Sequence, residues 1–355
     1  MKIALITDTH FGARGDNQSF AMFFKRFYDE VFFPYLKEHD IKTIIHLGDI
    51  VDRRKFINFQ TARNLRESFI EPIVEGGIDT HLIIGNHDTY FKNTNSVNSM
   101  GELYEHSNFE NIHFYSEPEI VKFDGQNIIL MPWINSENHD KSFEIINSGK
   151  AQVMFGHLEI QGFEMYKNAP VHIGMDRKKF DALDIICSGH FHHRSTKGNI
   201  TYLGCPYEMT WSDYNDTKGF HIYDTHTREL EFIPNPITMF QKIKYDDLNV
   251  KKEDILNQEF NYLQDSIVKV IVQNKTNPFF FDMTIDKLEK AGVLDLQVVE
   301  DHLNLDLEDD EDIIDEAEDT LTILTKYIDQ LEDVNKLGLE RLIRDLYSEA
   351  LTAQG

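Results

Sequence analysis

Residues 80–88 read Thr-His-Leu-Ile-Ile-Gly-Asn-His-Asp, a short apolar run followed by a glycine and a polar cluster. Four other apolar runs also lead into polar clusters, which are Asp8-Thr9-His10, Gly48-Asp49, Gly156-His157 and Gly189-His190-Phe191-His192. Short runs of Val, Ile and Leu bounded by glycine are typical of buried strands. The pattern therefore predicts strands whose carboxyl ends carry polar side chains.

Helical patterns lie between the early runs, over residues 19–38 and 59–75. Alternation of strand and helix indicates an α/β layered fold. Later apolar runs at 127–133, 200–203 and 219–223 look like strands without intervening helices. The core is therefore expected to be a two-sheet α/β sandwich.

The pattern changes near Pro234 and Pro236. Strand-like runs at 266–273 and 294–299 flank a helical pattern at 282–291, which predicts a small α/β domain. Beyond it, an acidic segment precedes two amphipathic helices, which either dock on a partner or pack back onto the core. The predicted divisions are residues 1–235 (first domain), 236–300 (small capping domain), 301–319 (acidic linker) and 320–355 (terminal helices).

Bulk composition narrows the class of protein. No apolar run reaches the length needed to cross a bilayer, and residues 1–8 are too short for a signal-peptide core, so neither a membrane protein nor a secreted one is expected. Two cysteines, Cys187 and Cys205, suit a reducing cytoplasm. The net charge of −26 argues against nucleic-acid binding. Half of that charge comes from residues 295–319, which hold thirteen Asp and Glu residues and no Lys or Arg.

The polar clusters together offer the ligands of a two-metal site. Asp8 and His10 stand two residues apart at a strand end, so both can face the same side. Asp49 ends another strand, and a carboxylate can bridge two cations. Four more residues complete a set of seven, namely Asn86, His157, His190 and His192. A lone buried histidine is usually a core residue, but five such clusters in this order rarely arise by chance. Mixed nitrogen and oxygen ligands favour Mn²⁺, Fe or Zn over Mg²⁺ and Ca²⁺.

These clusters resemble the signature of the calcineurin-like metallophosphoesterases, which reads here Asp8-x-His10, Gly48-Asp49-x-x-Asp52-Arg53, Gly85-Asn86-His87-Asp88, Gly156-His157 and Gly189-His190-x-His192. The resemblance implies a four-layer α/β/β/α sandwich with a small capping domain and C-terminal helices. It implies one cation held by Asp8, His10, Asp49 and His192, and a second held by Asp49, Asn86, His157 and His190. It points to two Mn²⁺ ions, with Mg²⁺ or another divalent ion as alternatives.

Three further residues are assigned catalytic roles. His87 directly follows the expected ligand Asn86, so we expect it to stabilise the transition state or to protonate the leaving group, with Asp88 orienting its ring. Asp52 is expected to orient a metal ligand. Related cellular and archaeal proteins often carry histidine at that position, so His87 is expected to take more of the leaving-group work here.

Longer stretches resemble the SbcD-type nucleases, which act with an SbcC-type coiled-coil ATPase, and most of all the subunits encoded by T-even-type bacteriophages. They include residues 48–55, 131–133, 156–163, 188–192 and 202–206, and the likeness covers nearly the whole chain. It implies a DNA exonuclease and endonuclease that processes ends in recombination, repair and recombination-dependent replication, in the host cytoplasm. It also implies a homodimer and an ATPase partner bound by the terminal helices.

A DNA nuclease must also hold phosphates, without base-specific readout. Basic residues just after the metal motifs are the candidates, namely Arg14, Arg53, Arg54, Lys55 and Lys92. Surface Lys and Arg are often merely solvated, and the run at 53–55 is the best placed. Two other hypotheses stay open: a stand-alone phosphatase or cyclic-nucleotide phosphodiesterase, which the acidic charge would suit, and a scaffold that has lost its chemistry.

Overall fold

A computed structural model describes residues 1–300 except 105, 108, 167–168, 171–173, 249–253 and 255–256. The predicted acidic linker and terminal helices, at 301–355, lie outside the described residues. Among the residues that are described, no helix has both the length and the apolar character needed to cross a membrane.

The first sheet has six strands, which are β1 (Lys2–Ile6), β2 (Thr43–His46), β3 (Asp79–Ile83), β4 (Ile112–Tyr115), β13 (Gly219–Asp224) and β14 (Leu230–Pro234). Their order across the sheet is β14–β13–β1–β2–β3–β4. Strands β1 to β4 are parallel, and β13 runs antiparallel to both of its neighbours. The carboxyl ends of β1, β2 and β3 therefore meet at one edge.

The second sheet also has six strands, which are β5 (Glu119–Phe123), β6 (Gln126–Met131), β7 (Val153–His157), β10 (Ile185–Gly189), β11 (Ser195–Lys197) and β12 (Ile200–Tyr202). Their order is β11–β12–β10–β7–β6–β5, with parallel pairing from β6 to β12. A short hairpin of β8 (Glu164–Tyr166) and β9 (Ala169–Pro170) lies outside this sheet.

The two sheets face each other across a buried apolar layer. Leu5 and Ile45 of the first sheet pack in one cluster with Leu130 and Phe155 of the second. Helical segments pack on the outer faces of both sheets, since Phe32 contacts Phe220 of the first sheet and Ile146 clusters with Met154 and Ile186 of the second. The helices in this part of the chain are α1 (Ala13–Asp16), α2 (Gln18–Arg26), α3 (Phe33–Glu38), α4 (Phe59–Leu65), α5 (Glu71–Gly76), α6 (Ser99–Tyr104) and α7 (His139–Ile146). The predicted α/β/β/α sandwich is confirmed, although α7 was not predicted.

The two long helices predicted at 19–38 and 59–75 are each interrupted by a π-helical turn. These turns are Phe27–Phe32, between α2 and α3, and Arg66–Ile70, between α4 and α5. Pro34 and Pro72 are the second residues of α3 and α5, the helices that follow these turns. Because proline lacks an N–H, it breaks the regular hydrogen-bond pattern, and the preceding turn widens to accommodate it.

A third sheet is formed by three parallel strands, β15 (Phe240–Asp246), β16 (Ile267–Asn274) and β17 (Asp295–Glu300), with helix α8 (Pro278–Lys290) packed on it. Strand β15 was not predicted, because only part of its surface is buried. The Glu208 carboxylate joins this sheet to the first part of the chain, since it accepts the N–H groups of Met239 and Phe240 at 2.6 and 2.9 Å. The domain boundaries at 235 and 300 stay a prediction.

Candidate metal centre

The seven expected ligands meet where the carboxyl ends of the two six-stranded sheets face each other. Three loops of the first sheet and two segments of the second supply them, and the seven are Asp8, His10, Asp49, Asn86, His157, His190 and His192. Parallel strands bring this about, because their carboxyl ends all lie at one edge.

One group of ligand atoms comes from Asp8, His10 and His192, and these atoms lie within 4.8 Å of one another. The Nε2 atoms of His10 and His192 are 3.2 Å apart. His10 Nε2 is also 3.9 Å from Oδ1 of Asp8 and 3.9 Å from Oδ2 of Asp49. Asp49 thus stands between this group and the next.

The second group comes from Asp49, His157 and His190, again within 4.8 Å. His157 Nδ1 donates to the carbonyl oxygen of Leu47 at 2.7 Å, so Nε2 is the nitrogen that can bind a cation. That Nε2 lies 3.2 Å from Asp49 Oδ2 and 2.9 Å from Asn86 Oδ1. In the metal-free chain a proton on Nε2 faces these two oxygens, and a cation among the three atoms can take its place, so these residues fit a metal ion.

His190 gives a second test of that fit. Its Nε2 atom is buried and has no hydrogen bond to the described residues. The nearby Glu159 carboxylate is 3.9 Å away, beyond hydrogen-bond distance. A buried polar atom left unsatisfied costs free energy, and coordination to a metal would satisfy it.

Burial and mutual charge set the protonation of the group. Burial lowers the pKa of His157, but Asp49 and Asp8 outweigh it and raise that pKa to about 9. The pKa of His10 is likewise lowered by burial and raised by Asp52, Asp49 and Asp8, to about 9 overall. The pKa of Asp49 is held well below its usual value, because His157 outweighs the effect of burial. Without a metal, protons balance the buried carboxylates, and these are the charges that a divalent cation would replace.

The backbone at the ligand positions is strained. Four of the seven expected ligands adopt positive φ: Asp8 (52°), His10 (41°), Asp49 (55°) and His190 (89°). Each such residue costs about 1–3 kcal/mol, and such strain clusters at functional sites. Loop-to-loop hydrogen bonds hold it in place, because the N–H groups of Asp8 and His10 donate to the carbonyl oxygens of Gly48 and Asp49 at 3.0 and 3.1 Å.

Close approach explains two of the glycines in the motifs. A Cβ at Gly85 would overlap the Asp49 carboxylate, and one at Gly189 would overlap Thr7 and come within 2.9 Å of an Asp8 oxygen. Any larger residue at either position would displace a ligand carboxylate. The glycines seen in the sequence therefore mark contact between loops.

His87 lies beside the first group, with its ring centroid 4.9 Å from that of His10. Its Nδ1 donates to the carbonyl oxygen of Asp52 at 2.6 Å, and its backbone N–H donates to Asp49 Oδ1 at 2.7 Å. The Asp52 carboxylate is 3.4 Å from His10 Nδ1. Asp52 therefore contacts His10 with its side chain and His87 with its backbone.

The expectation that Asp88 orients the His87 ring is wrong. Asp88 is fully buried, and its two oxygens accept four backbone N–H groups at 2.8–3.1 Å, those of Asp49, Ile50, Val51 and Gly85. Burial and the charge of Asp49 raise its pKa to about 7, even though these hydrogen bonds lower it. Asp88 fixes the two ligand loops, and the Asp52 carbonyl orients the ring.

The structure places three of the five basic candidates beside the metal loops. Arg54 Nε donates to the carbonyl oxygen of Asn86 at 2.6 Å. The Arg53 guanidinium lies 2.9 Å from Asp16 and 4.9 Å from the ring centre of Phe56. The Lys55 ammonium lies 6.0 Å from the ring centre of Tyr90. The other two candidates are Arg14 and Lys92, which are exposed and whose contact with phosphates stays a prediction.

Sequence reasoning missed two residues that support the ligands. The ring centroid of Trp133 lies 5.1 Å from that of His190, so Trp133 packs beside this ligand. Lys218, 4% exposed, donates to the carbonyl oxygen of His192 at 3.0 Å and pairs with Asp213 and Asp216 at 2.7 and 2.8 Å. Both lie in stretches that resemble the SbcD-type nucleases, but no spacing rule singles them out.

Comparisons with known proteins agree with this geometry. The calcineurin-like phosphoesterase family model matches residues 1–194. Exonuclease subunit 1 of Enterobacteria phage T4 is 32% identical over 353 residues, covering 99% of both chains. The SbcD subunit of nuclease SbcCD from Staphylococcus epidermidis is 25% identical over 289 residues, covering 71% of each chain. A solved archaeal phosphodiesterase, 14% identical with a TM-score of 0.33, covers 66% of this chain and all of that one.

The family match covers more than half of the chain, and its residues include the seven that converge on the centre. The T4 relative extends that likeness over the whole length. The chain belongs to the calcineurin-like phosphoesterase family and is a metal-dependent phosphoesterase.

Proposed function

We propose that the chain is the nuclease subunit of a DNA end-processing complex, a Mn²⁺-dependent exonuclease and endonuclease. The observation that carries the proposal is that basic and aromatic residues of two loops, which follow β2 and β3, lie beside the two ligand groups. The likeness to T4 exonuclease subunit 1 and to the SbcD subunit of staphylococcal SbcCD supports the choice of substrate.

The residues would hold two cations. Asp8, His10, Asp49 and His192 would hold one, and Asp49, Asn86, His157 and His190 the other, as the two ligand groups support. When bound, such a pair lowers the pKa of a water molecule and neutralises charge on the phosphoryl oxygens. Imidazole and carboxylate ligands together suit Mn²⁺, with Mg²⁺ or another divalent ion as the alternative.

His87 would then act on the leaving group. With its Nδ1 hydrogen held by the Asp52 carbonyl, Nε2 is the nitrogen that can reach substrate. A protonated His87 can stabilise charge on the leaving oxygen and give it a proton. The Asp52 carboxylate would orient His10 and thus help to position one cation.

The two loops beside the centre fit a nucleic acid better than a small phosphate ester. Phe56 is 61% exposed and Tyr90 is 42% exposed, and each lies near a cation. Exposed aromatic rings interleaved with Arg and Lys are typical of single-strand binding, in which bases stack on rings while cations hold phosphates. A frayed DNA end supplies such unpaired bases. Arg14 and Lys92 would extend the phosphate contacts.

The assembly is proposed from the relatives. We infer a homodimer that works with an SbcC-type coiled-coil ATPase, bound by residues 320–355 beyond the acidic segment 301–319. The small sheet of β15, β16 and β17 would cap the nuclease domain. The complex would process DNA ends in recombination, repair and recombination-dependent replication, in the host cytoplasm.

The test is hydrolysis of end-labelled duplex and single-stranded DNA with Mn²⁺, by the full chain alone and with its ATPase partner. Release of nucleotides that His87→Ala abolishes would support the proposal. Cleavage of an aryl phosphate diester with DNA left intact would support the metal centre but contradict the proposal that DNA is the substrate. Deleting residues 320–355 should remove the effect of the ATPase while hydrolysis of the diester continues.

A further inference from the structure

Besides the groups at the metal centre, which include His10 with Asp52 and His87, a separate group of metal-ligand atoms lies toward the other end of the first sheet. It comes from Asp79, His81 and His113, whose ligand atoms lie within 4.8 Å of one another. Asp79 and His81 stand two apart on β3, so both face the same side, and His113 on β4 is the register partner of His81. The cluster therefore follows directly from strand pairing.

Each histidine nitrogen lies about as far from an oxygen of Asp79 as two ligands of a tetrahedral transition metal lie from each other, and the two histidines face different oxygens of that carboxylate. His81 Nε2 is 3.3 Å from Asp79 Oδ2, and His113 Nε2 is 3.0 Å from Asp79 Oδ1. Ligands bound tetrahedrally at about 2.0 Å lie about 3.3 Å from one another. The two imidazole rings are stacked, with centroids 4.8 Å apart and planes at 27°, and the Nε2 atom of each faces the Asp79 carboxylate.

His81 is already arranged as a ligand. Its Nδ1 lies 2.8 Å from the Tyr115 hydroxyl, which can accept a hydrogen from Nδ1 and leave the lone pair on Nε2. Phe123 packs against the ring with centroids 4.8 Å apart. Burial lowers the pKa of His81 despite the neighbouring Asp79, so the imidazole is neutral and ready to bind. Asp79 and His113 are 51% and 44% exposed in their side chains, which leaves a route for an ion.

We propose that Asp79, His81 and His113 form a second metal site, specific for a Zn²⁺-like cation, with water as the fourth ligand. Two imidazoles and one carboxylate suit Zn²⁺ better than the hard, oxygen-seeking Mg²⁺ or Ca²⁺. The site is independent of the proposed nuclease activity, because the two lie at different points of the chain. Asp79 is the first residue of β3, whereas Gly85 and Asn86 lie beyond its last residue. His81 lies four residues before Gly85, which is about 13 Å along an extended chain, and Asp79 lies two residues farther away. The bound ion would join the edge strand β4 to β3.

The test is equilibrium dialysis of the chelator-treated full chain against Zn²⁺ alone, with zinc measured by mass spectrometry. We expect His113→Ala and Asp79→Asn each to bind one zinc ion fewer per chain than the parent, with hydrolysis at the catalytic centre unchanged. His226→Ala is the matched control, because His226 also contacts a carboxylate, Asp124 at 2.9 Å, but belongs to no three-residue group within the described residues.

A thermal measurement gives an independent readout. Zinc at a hundredfold excess over the Kd of the site should raise the Tm of the parent by several degrees more than that of Asp79→Asn. Equal zinc content in the parent and both variants would overturn the proposal, and the three residues would then form only hydrogen bonds. Circular dichroism of each variant checks that a lost zinc ion does not reflect unfolding.

Discussion

The two edges of the first sheet carry similar candidate metal ligands, Asp and His, but the backbone positions them in different ways. At the carboxyl edge, the ligands lie at strand ends or in the loops that follow, four of them have positive φ, and four are buried while the other three are partly buried. At the amino edge, Asp79, His81 and His113 sit within regular strands, and none has positive φ. At the carboxyl edge, contacts between loops hold strained ligand residues in place. At the amino edge, the pairing register of β3 and β4 alone brings the three side chains together.

The difference shows how a reactive centre departs from a simple binding site. Strained loops can aim ligands from five segments at one point, whereas a strand places its side chains only at fixed intervals. The surrounding fold must supply the free energy for that strain. Asp88 and Lys218 are buried charged groups that hold the loops at the carboxyl edge.

The largest effect is expected from Asp49→Ala. Because Asp49 stands between the two ligand groups, its loss should lower phosphodiester hydrolysis by more than about a thousandfold. Asp79→Ala is the comparison at the amino edge and should leave hydrolysis unchanged. Rates with an aryl phosphate diester and Mn²⁺ measure both, and equal loss in the two variants would contradict the separation of the edges.

Lys218→Met should lower the stability of the fold. The substitution would leave the carboxylates of Asp213 and Asp216 in the interior without their cation, which costs about 3–5 kcal/mol of unfolding free energy. Urea denaturation measures it. Lys141→Met is the control, because Lys141 pairs with Glu117 at 2.9 Å with both side chains about half exposed, and such a surface pair is worth about 0–1 kcal/mol. Similar losses in both variants would show that the Lys218 network does not support the loops.

Metal affinity at the carboxyl edge should fall as pH falls. In the metal-free protein the pKa values of His10 and His157 are both about 9, so below that pH each must release a proton before it binds a cation. Two released protons give a slope of up to about a hundredfold per pH unit between pH 6 and 9, with a plateau above.

Titration calorimetry with Mn²⁺ across that pH range measures the slope. Zinc affinity at the amino edge should change less steeply, because burial lowers the pKa of His81. A flat profile at the carboxyl edge would mean that protons do not occupy the empty ligand groups.

The smallest effect is expected from Phe56→Ala. Loss of one stacking ring should weaken binding of single-stranded DNA by about tenfold, since base stacking is worth about 1–3 kcal/mol. Fluorescence anisotropy in the Asp49→Ala background measures binding without cleavage. Phe279→Ala is the control, because Phe279 is 68% exposed on α8 of the small sheet. Equal weakening of DNA binding by both substitutions would show that DNA does not bind at Phe56.

Much of the fold was predictable because the central strands are buried on both faces. The apolar runs at β1, β2, β3, β7 and β10 were recognised within one or two residues. Edge strands such as β5, β11 and β14 are short or partly polar, and their pairing depends on neighbours far along the chain. The seven ligand candidates were recognised because glycines and strand ends mark them.

Local pattern and spacing were enough to predict the central strands, the two early helical segments, the polar clusters at the strand ends and the family resemblance. What each cluster touches became clear only in the folded chain. There Asp88 accepts hydrogen bonds from four backbone N–H groups, and the ring of His87 donates to the Asp52 carbonyl. Lys218 donates to the carbonyl oxygen of His192. The hydrogen bonds from Ile50 to Asp88, from His87 to Asp52 and from Lys218 to His192 join residues 38, 35 and 26 positions apart. A one-dimensional pattern carries no information about which distant groups fold to within hydrogen-bond distance.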